Sequence, residues 1–213
     1  MMGGMKLPDG DSRLVQIVDV SLRDAARRAG DWLVCRPGCT QCCYGAFAIN
    51  RLDALRLRAG MNALRDLNPS KAEALTLRAR AWLDAYGEDF PGDRKSGVLG
   101  DSDEERDRFE EFANDAPCPA LDLASGMCDV YEWRPMTCRV FGPPIRMDGG
   151  EGSARTEGLG HCELCFKGAT EAEVAWCEMP LAVELEEKIL AEIDGKSETV
   201  VAYALLGPAP SSD

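Results

Sequence analysis

Four cysteines fall within nine residues, Cys35-Arg-Pro-Gly-Cys39-Thr-Gln-Cys42-Cys43, and no other feature restricts the chain so tightly. Neighbours such as Cys42 and Cys43 cannot readily bridge each other, because a disulfide needs a particular Cα separation and dihedral angle. The first sixteen residues, MMGGMKLPDGDSRLVQ, contain no continuous apolar run of the export type, so the expected setting is the reducing cytoplasm. Thiols kept reduced and crowded together gain most from a shared metal ion, which favours several thiolates converging on one point. The segment therefore reads as a metal site. Six further cysteines, Cys118, Cys128, Cys138, Cys162, Cys165 and Cys177, bring the total to ten, more than a single four-coordinate site uses.

Metal is not required to rescue a small fold here. A chain of 213 residues with 45% apolar side chains can bury an ordinary hydrophobic core. A net charge of -13 opposes unaided binding to nucleic acid or anionic membrane, both of which are recognised through clustered Lys and Arg. No stretch approaches the roughly 20 apolar residues of a membrane-spanning helix. The expected partner is a metal ion or cluster; a protein partner is not legible.

The fold class expected is mainly α, an irregular helical domain with a small β-hairpin beside a cysteine-ligated site. Leu14, Val15, Val18, Leu22, Ala25 and Ala29 recur at helical steps, predicting an amphipathic helix from Asp11 to about Val34, capped by Asp11 or Ser12. Pro37 and Gly38 then set a turn between the first two cysteines. A second helix follows Asn50 and breaks at Gly60. A third follows Asn68-Pro69, with Ser70 and Glu73 at capping-box spacing. Residues 87–115 read as a surface excursion ending in a short acidic helix. Two apolar stretches around Ala124-Ser125-Gly126 predict a hairpin with Cys118 and Cys128 at its ends. Pro135 starts a turn of helix carrying Cys138. Residues 148–160 are so glycine-rich that they read as a mobile connector or lid rather than a fixed element. Thr170 and Glu173 open the last helical region, which Pro180 kinks. The domain reading is an N-terminal helix over 1–31, a cysteine-cluster domain over 32–167, a C-terminal helical region over 168–206 and a disordered tail over 207–213.

Candidate metal ligands are Cys35, Cys39, Cys42, Cys43, Cys118, Cys128, Cys138, Cys162 and Cys165. Cys162-Glu-Leu-Cys165 is a CxxC, but the strand and helix of a thioredoxin-type redox motif are missing around it, so ligation is preferred. Cys177, in a helical stretch beside Trp176, reads as a packed core thiol. His161 is the only histidine, and its neighbour Cys162 is badly placed to be a catalytic partner, which disfavours hydrolase and thiol-protease chemistry. No phosphate-binding or dinucleotide loop is present. Arg36, Arg134 and Arg139 flank thiols, where guanidinium groups would offset thiolate charge. The C-C pair and the Cys118-Pro119 step lean slightly toward an iron-sulfur cluster over Zn(II).

Taken in order, Cys35-x3-Cys39-x2-Cys42-Cys43, Cys118-Pro-Ala-Leu, Gly126-Met-Cys128-Asp-Val-Tyr131 and Arg134-Pro135-Met-Thr-Cys138-Arg139 resemble the CxxCxxCC cysteine-cluster proteins, the YkgJ-like zinc- or iron-chelating domains. The resemblance spans about residues 32–167. It implies eight motif cysteines, on Cys35, Cys39, Cys42, Cys43, Cys118, Cys128 and Cys138 with the eighth at Cys162 or Cys165. Many members have two residues between the first two cysteines, and this chain has three. Larger relatives, the flagellin lysine methylases, are associated with an iron-sulfur cluster. The resemblance thus implies metal chelation, with an iron-sulfur-dependent oxidoreductase or a protein methyltransferase as the alternative.

Overall fold

The structure, a computed structural model, describes residues 7–147, 158–193 and 195–207. It is mainly α-helical with small hairpins, as the sequence predicts. The helices are α1 (Asp11–Ala29), α2 (Arg51–Leu67), α3 (Pro69–Tyr86), α4 (Asp103–Glu111), α5 (Met136–Val140), α6 (Glu171–Trp176), α7 (Val183–Glu192) and α8 (Val201–Leu206). Four antiparallel two-stranded ladders complete the described residues. β1 (Ile49–Asn50) pairs with β8 (Glu198–Thr199), and β2 (Gly92–Asp93) with β3 (Val98–Leu99). β4 (Leu121–Asp122) pairs with β5 (Met127–Cys128), and β6 (Ile145–Met147) with β7 (Gly158–Gly160). No helix among the described residues is long and apolar enough to cross a membrane.

Local chemistry explains where these elements start and stop. α1 is preceded by Gly10, which makes no side-chain cap, and ends at Gly30 rather than Val34 because Gly30 takes a φ of 52° that a helix cannot continue through. Asn50 caps α2 by accepting a hydrogen bond from the Asp53 amide at 3.0 Å. Gly60 does not break α2. It lies inside the helix, and a Cβ there would fall 2.7 Å from the Trp133 side chain, so glycine serves a close approach. α3 is capped by Asn68, whose side chain accepts from the Lys71 amide at 3.1 Å, with Pro69 in the first turn where its missing N–H costs nothing. Ser70 instead donates to the Asn68 side chain at 2.9 Å, so the expected Ser70 box does not form. Thr170 and Glu173 do form a full capping box on α6.

The chain divides into two compact units. Of the described residues, the first comprises 7–8, 37–135, 189–193 and 195–207; the second comprises 9–36, 136–147 and 158–188. In the first, α2, α3 and α8 bury Leu57, Met61, Leu75, Ala79, Ala204 and Leu205, with Cys118 and Cys128 packed at the edge of this core. An aromatic cluster adjoins these helices, where Phe112 meets both Trp82 and Phe90 edge-on at centroid distances of 5.8 Å. Phe90 and Phe112 both come from the 87–115 segment, which therefore contributes to the interior as well as to the surface.

In the second unit, α1 and α5 are joined by a pair from Arg139, whose side chain is 2% exposed, to Asp19 at 2.9 Å. A smaller apolar cluster collects Ala29, Cys162, Cys165, Phe166 and Cys177. Arg28, near the end of α1, donates to the carbonyl of Trp176 and, at 3.0 Å, to that of Glu178, fixing the chain on both sides of Cys177. Cys177 is thus a buried packing thiol, 2% exposed. Of the glycine-rich segment read as a connector or lid, 148–157 lies outside the described residues. Gly158–Gly160 corrects the expectation at its end, since it forms a regular strand. A Cβ at Gly160 would stand 2.9 Å from the Met147 side chain, so the missing side chain is what lets β6 and β7 pair.

Candidate metal centre

No disulfide joins the ten cysteines, all of which are among the described residues. The division between the units falls inside the first cysteine cluster, between Arg36 and Pro37. Cys39, Cys42, Cys43, Cys118 and Cys128 lie in the first unit. Cys35, Cys138, Cys162 and Cys165 lie in the second.

Main-chain pairing brings the first group together. Residues 41–43 form a short helical turn, closed by the Cys43 amide donating to the Thr40 carbonyl at 2.8 Å. The chain then runs antiparallel to the segment before the hairpin. Tyr44 bridges Pro117, the Gly45 amide donates to the Ala116 carbonyl at 2.9 Å, and the Cys118 amide donates to the Cys43 carbonyl at 2.7 Å. In the hairpin, Cys128 stands opposite Leu121, and the Asp129 amide donates to the Ala120 carbonyl at 2.9 Å. Gly126, at the hairpin turn with φ of 69°, comes so near the Gly38 turn that an added Cβ would lie 3.3 Å from the Gly38 Cα. The two loops that carry cysteines are therefore held against each other by backbone contacts that side chains would obstruct.

The electrostatics of these thiols agree with that convergence. Cys42 is held down to about 7, first by its hydrogen bond with Cys43, with its own main chain and the Arg134 guanidinium adding to the effect against the opposing push of burial. Cys118 is pushed up to about 12, chiefly by burial, and the charges of Cys128 and Cys42 raise it further. Burial likewise raises Cys128, as do Asp129 and Cys42, while Arg134 lowers it. Cys42 thus acts on both Cys118 and Cys128, and one cation, Arg134, acts on Cys42 and Cys128.

Arg134 is positioned by the turn before it. Its guanidinium carbon lies 3.9 Å from the centre of the Tyr131 ring, and Nη1 donates to the Tyr131 carbonyl at 2.8 Å. Asp129 anchors the hairpin from its other side. Its carboxylate, 2% exposed, pairs with Lys71 at 2.8 Å and Arg78 at 2.5 Å, both on α3. Asp129 and Tyr131 stand in the Cys128-Asp-Val-Tyr131 motif, but the sequence alone assigns neither of them a role. Their places, Asp129 directly after Cys128 and Tyr131 three residues before Arg134, are what could have pointed to a part in the site. Of the other flanking arginines, Arg139 is committed to Asp19, and Arg36 is exposed.

In the second unit, the Cys35 and Cys165 sulfurs lie 3.9 Å apart. Cys162 and Cys165 bracket a turn in which the Cys165 amide donates to the Cys162 carbonyl at 2.9 Å. Burial raises the Cys162 thiol, and Cys165 contributes to the same shift through its charge and a side-chain hydrogen bond. Cys138 is half-buried on α5. His161 Nδ1 lies 3.0 Å from the Cys162 carbonyl, and its ring is 5.2 Å from that of Phe166.

Among the described residues, no three His, Cys, Asp or Glu side chains stand together at the spacing a bound ion requires. The donor set nevertheless suits a thiophilic metal, because the soft thiols of Cys42, Cys118 and Cys128 lie near enough for Cys42 to act on the other two, and the buried Arg134 cation acts on Cys42 and Cys128 to offset thiolate charge. Comparison with curated proteins and with solved structures finds no match. A family profile does match: CxxCxxCC, described as "Putative zinc- or iron-chelating domain", over residues 34–151. That stretch exceeds half of the 213 residues and carries every cysteine from Cys35 to Cys138, so this chain belongs to the CxxCxxCC family.

Proposed function

We propose that this protein holds a thiophilic metal, as an iron-sulfur cluster or as Zn(II), through Cys39, Cys42, Cys43, Cys118 and Cys128. The observation that carries the reading is the 2.7 Å main-chain bond from Cys118 to Cys43, which ties the first cysteine cluster to the hairpin while Cys42 acts on the protonation of both Cys118 and Cys128. A bound metal would supply the positive charge that lets buried thiols ionise together. The chain's own part is to bring the donors together and to shed their protons. Cys42 does so near neutral pH, and Cys118 does so only against the cost of burial. Arg134 offsets the negative charge that remains when four thiolates surround a divalent ion.

Elemental analysis of protein expressed with both metals available and purified without oxygen tests the reading. Iron with matching inorganic sulfide would establish the cluster, and zinc without sulfide would establish the simple thiolate site. Neither metal above background would remove the proposal.

A further inference from the structure

We propose that Cys35, Cys162 and Cys165 form a second thiolate centre, confined to the second unit, which takes a single tetrahedral divalent cation of the Zn(II) class. The inference rests on the reading of this chain as a metal chelator, and two of its three cysteines lie outside the family match. Cys162 and Cys165 lie beyond its end at residue 151.

The argument begins with one distance. Two thiolates bound to the same tetrahedral zinc, each about 2.3 Å from the metal, stand about 3.8 Å apart. Cys35 and Cys165 stand 3.9 Å apart. A four-iron cluster takes one cysteine on each iron, which spreads its ligand sulfurs much farther, so this pair fits a single ion and not a cube. Cys162 joins from the same turn as Cys165, whose amide donates to the Cys162 carbonyl at 2.9 Å. A two-residue spacing closed by a main-chain bond is the usual way for one loop to present two sulfurs to one metal.

The surroundings hold the three in place. The Cys162 amide donates to the Gly142 carbonyl at 3.2 Å, and a Cβ at Gly142 would lie 3.1 Å from the Cys35 sulfur. Gly142 has a φ of 126°, so its position against Cys35 uses both the absent side chain and the backbone freedom of glycine. Phe166 follows Cys165 at φ of 57° and donates its amide to the Trp32 carbonyl at 2.9 Å, which draws the CxxC turn to the chain just before Cys35. Cys165 and Cys162 are 1% and 3% exposed, whereas Cys35 is exposed, so the pocket has two buried donors and one facing the route of entry. The fourth position of a tetrahedral ion would be taken by a further donor or by water.

Cobalt(II) titration of the metal-free, reduced full-length chain tests this, since thiolate-to-cobalt absorption reports both the number of sites and their sulfur content. The wild type is expected to show a tight equivalent that Cys35→Ser weakens at least tenfold. The double variant Cys42→Ser/Cys118→Ser should keep that equivalent. Cys35 is exposed, so its serine variant should fold normally, and an unchanged far-UV circular dichroism spectrum checks this. Full binding in both Cys35→Ser and Cys165→Ser would overturn the second centre while leaving the first intact. Loss of all cobalt absorption in Cys42→Ser/Cys118→Ser would overturn it as well, by showing that every equivalent belongs to the first unit. If instead only the Cys35-dependent equivalent exists in the wild type, the second centre stands and the proposed function of the first group fails.

Discussion

Gly60 of α2 and Trp133 approach so closely that a methyl group at position 60 would lie 2.7 Å from both Cβ and Cγ of the tryptophan. Both belong to the unit that carries Cys118 and Cys128, and Trp133 directly precedes Arg134. Gly60→Ala gains helix propensity but must displace the indole, and overpacking of this kind costs about 1–3 kcal/mol. The expected result is a lower urea midpoint with an unchanged slope, accompanied by a shift in tryptophan fluorescence. An unchanged midpoint would mean that the ring moves aside freely.

The Cys42 thiol titrates at about 7, and Cys118 at about 12. A thiolate is the reacting form, so alkylation accelerates as pH rises through the thiol's own value. In metal-free protein, Cys42 should be half-maximally reactive near neutrality, while Cys118 stays protonated and slow throughout the range pH 6–9. Peptide-resolved mass spectrometry after short iodoacetamide pulses measures this. Cys43→Ala removes the largest stabilising contact and should move the Cys42 midpoint upward. Metal affinity should fall with acidity for the same reason, because protons compete for the sulfurs.

Asp129 tethers the hairpin to α3 through Lys71 and Arg78. Removing one partner of a buried charge pair costs about 3–5 kcal/mol, but here both cations are partly exposed and can return to water, so about 1–3 kcal/mol is expected for Asp129→Ala. Metal affinity should drop with it, since Cys128 is the preceding residue. A competition titration against a chelating dye reads the affinity, and denaturant unfolding reads the stability. Loss of stability with unchanged affinity would restrict Asp129 to a packing role.

Chelation should lower the unfolding temperature without erasing the helical signal at 25 °C. An ion present at a hundred times its Kd adds about 2.7 kcal/mol to stability, and its removal withdraws that amount. Cys118 and Cys128 pack only at the edge of the core that holds Leu57, Met61, Leu75 and Leu205, so the helices persist. Far-UV circular dichroism with thermal melting, before and after a chelator, distinguishes this from collapse of the whole fold.

The helices were legible because their signals are local. Asn50, Asn68-Pro69 and the Thr170-x-x-Glu173 pair each mark a helix start through neighbouring residues, and the Ala124-Ser125-Gly126 turn marks the hairpin. Gly60 misled the reading because a helix-breaking propensity of about 1 kcal/mol is smaller than the gain from seating Trp133, a partner 73 positions away in sequence. The pairing of Ile49 with Thr199 escaped for the same reason, since strands of two residues carry no periodicity. At the site, the cysteines themselves were legible as candidates. Their assortment was not, because sequence spacing groups Cys35 with Cys39 whereas the structure sets Cys35 beside Cys165.

The bond between Cys43 and Cys118 joins main-chain atoms, not sulfurs. Oxidation, alkylation or replacement of either side chain therefore leaves the two segments laced together. Reversible oxidation of either thiol, to a sulfenic acid or a disulfide, is then undone by reduction without refolding of these two segments.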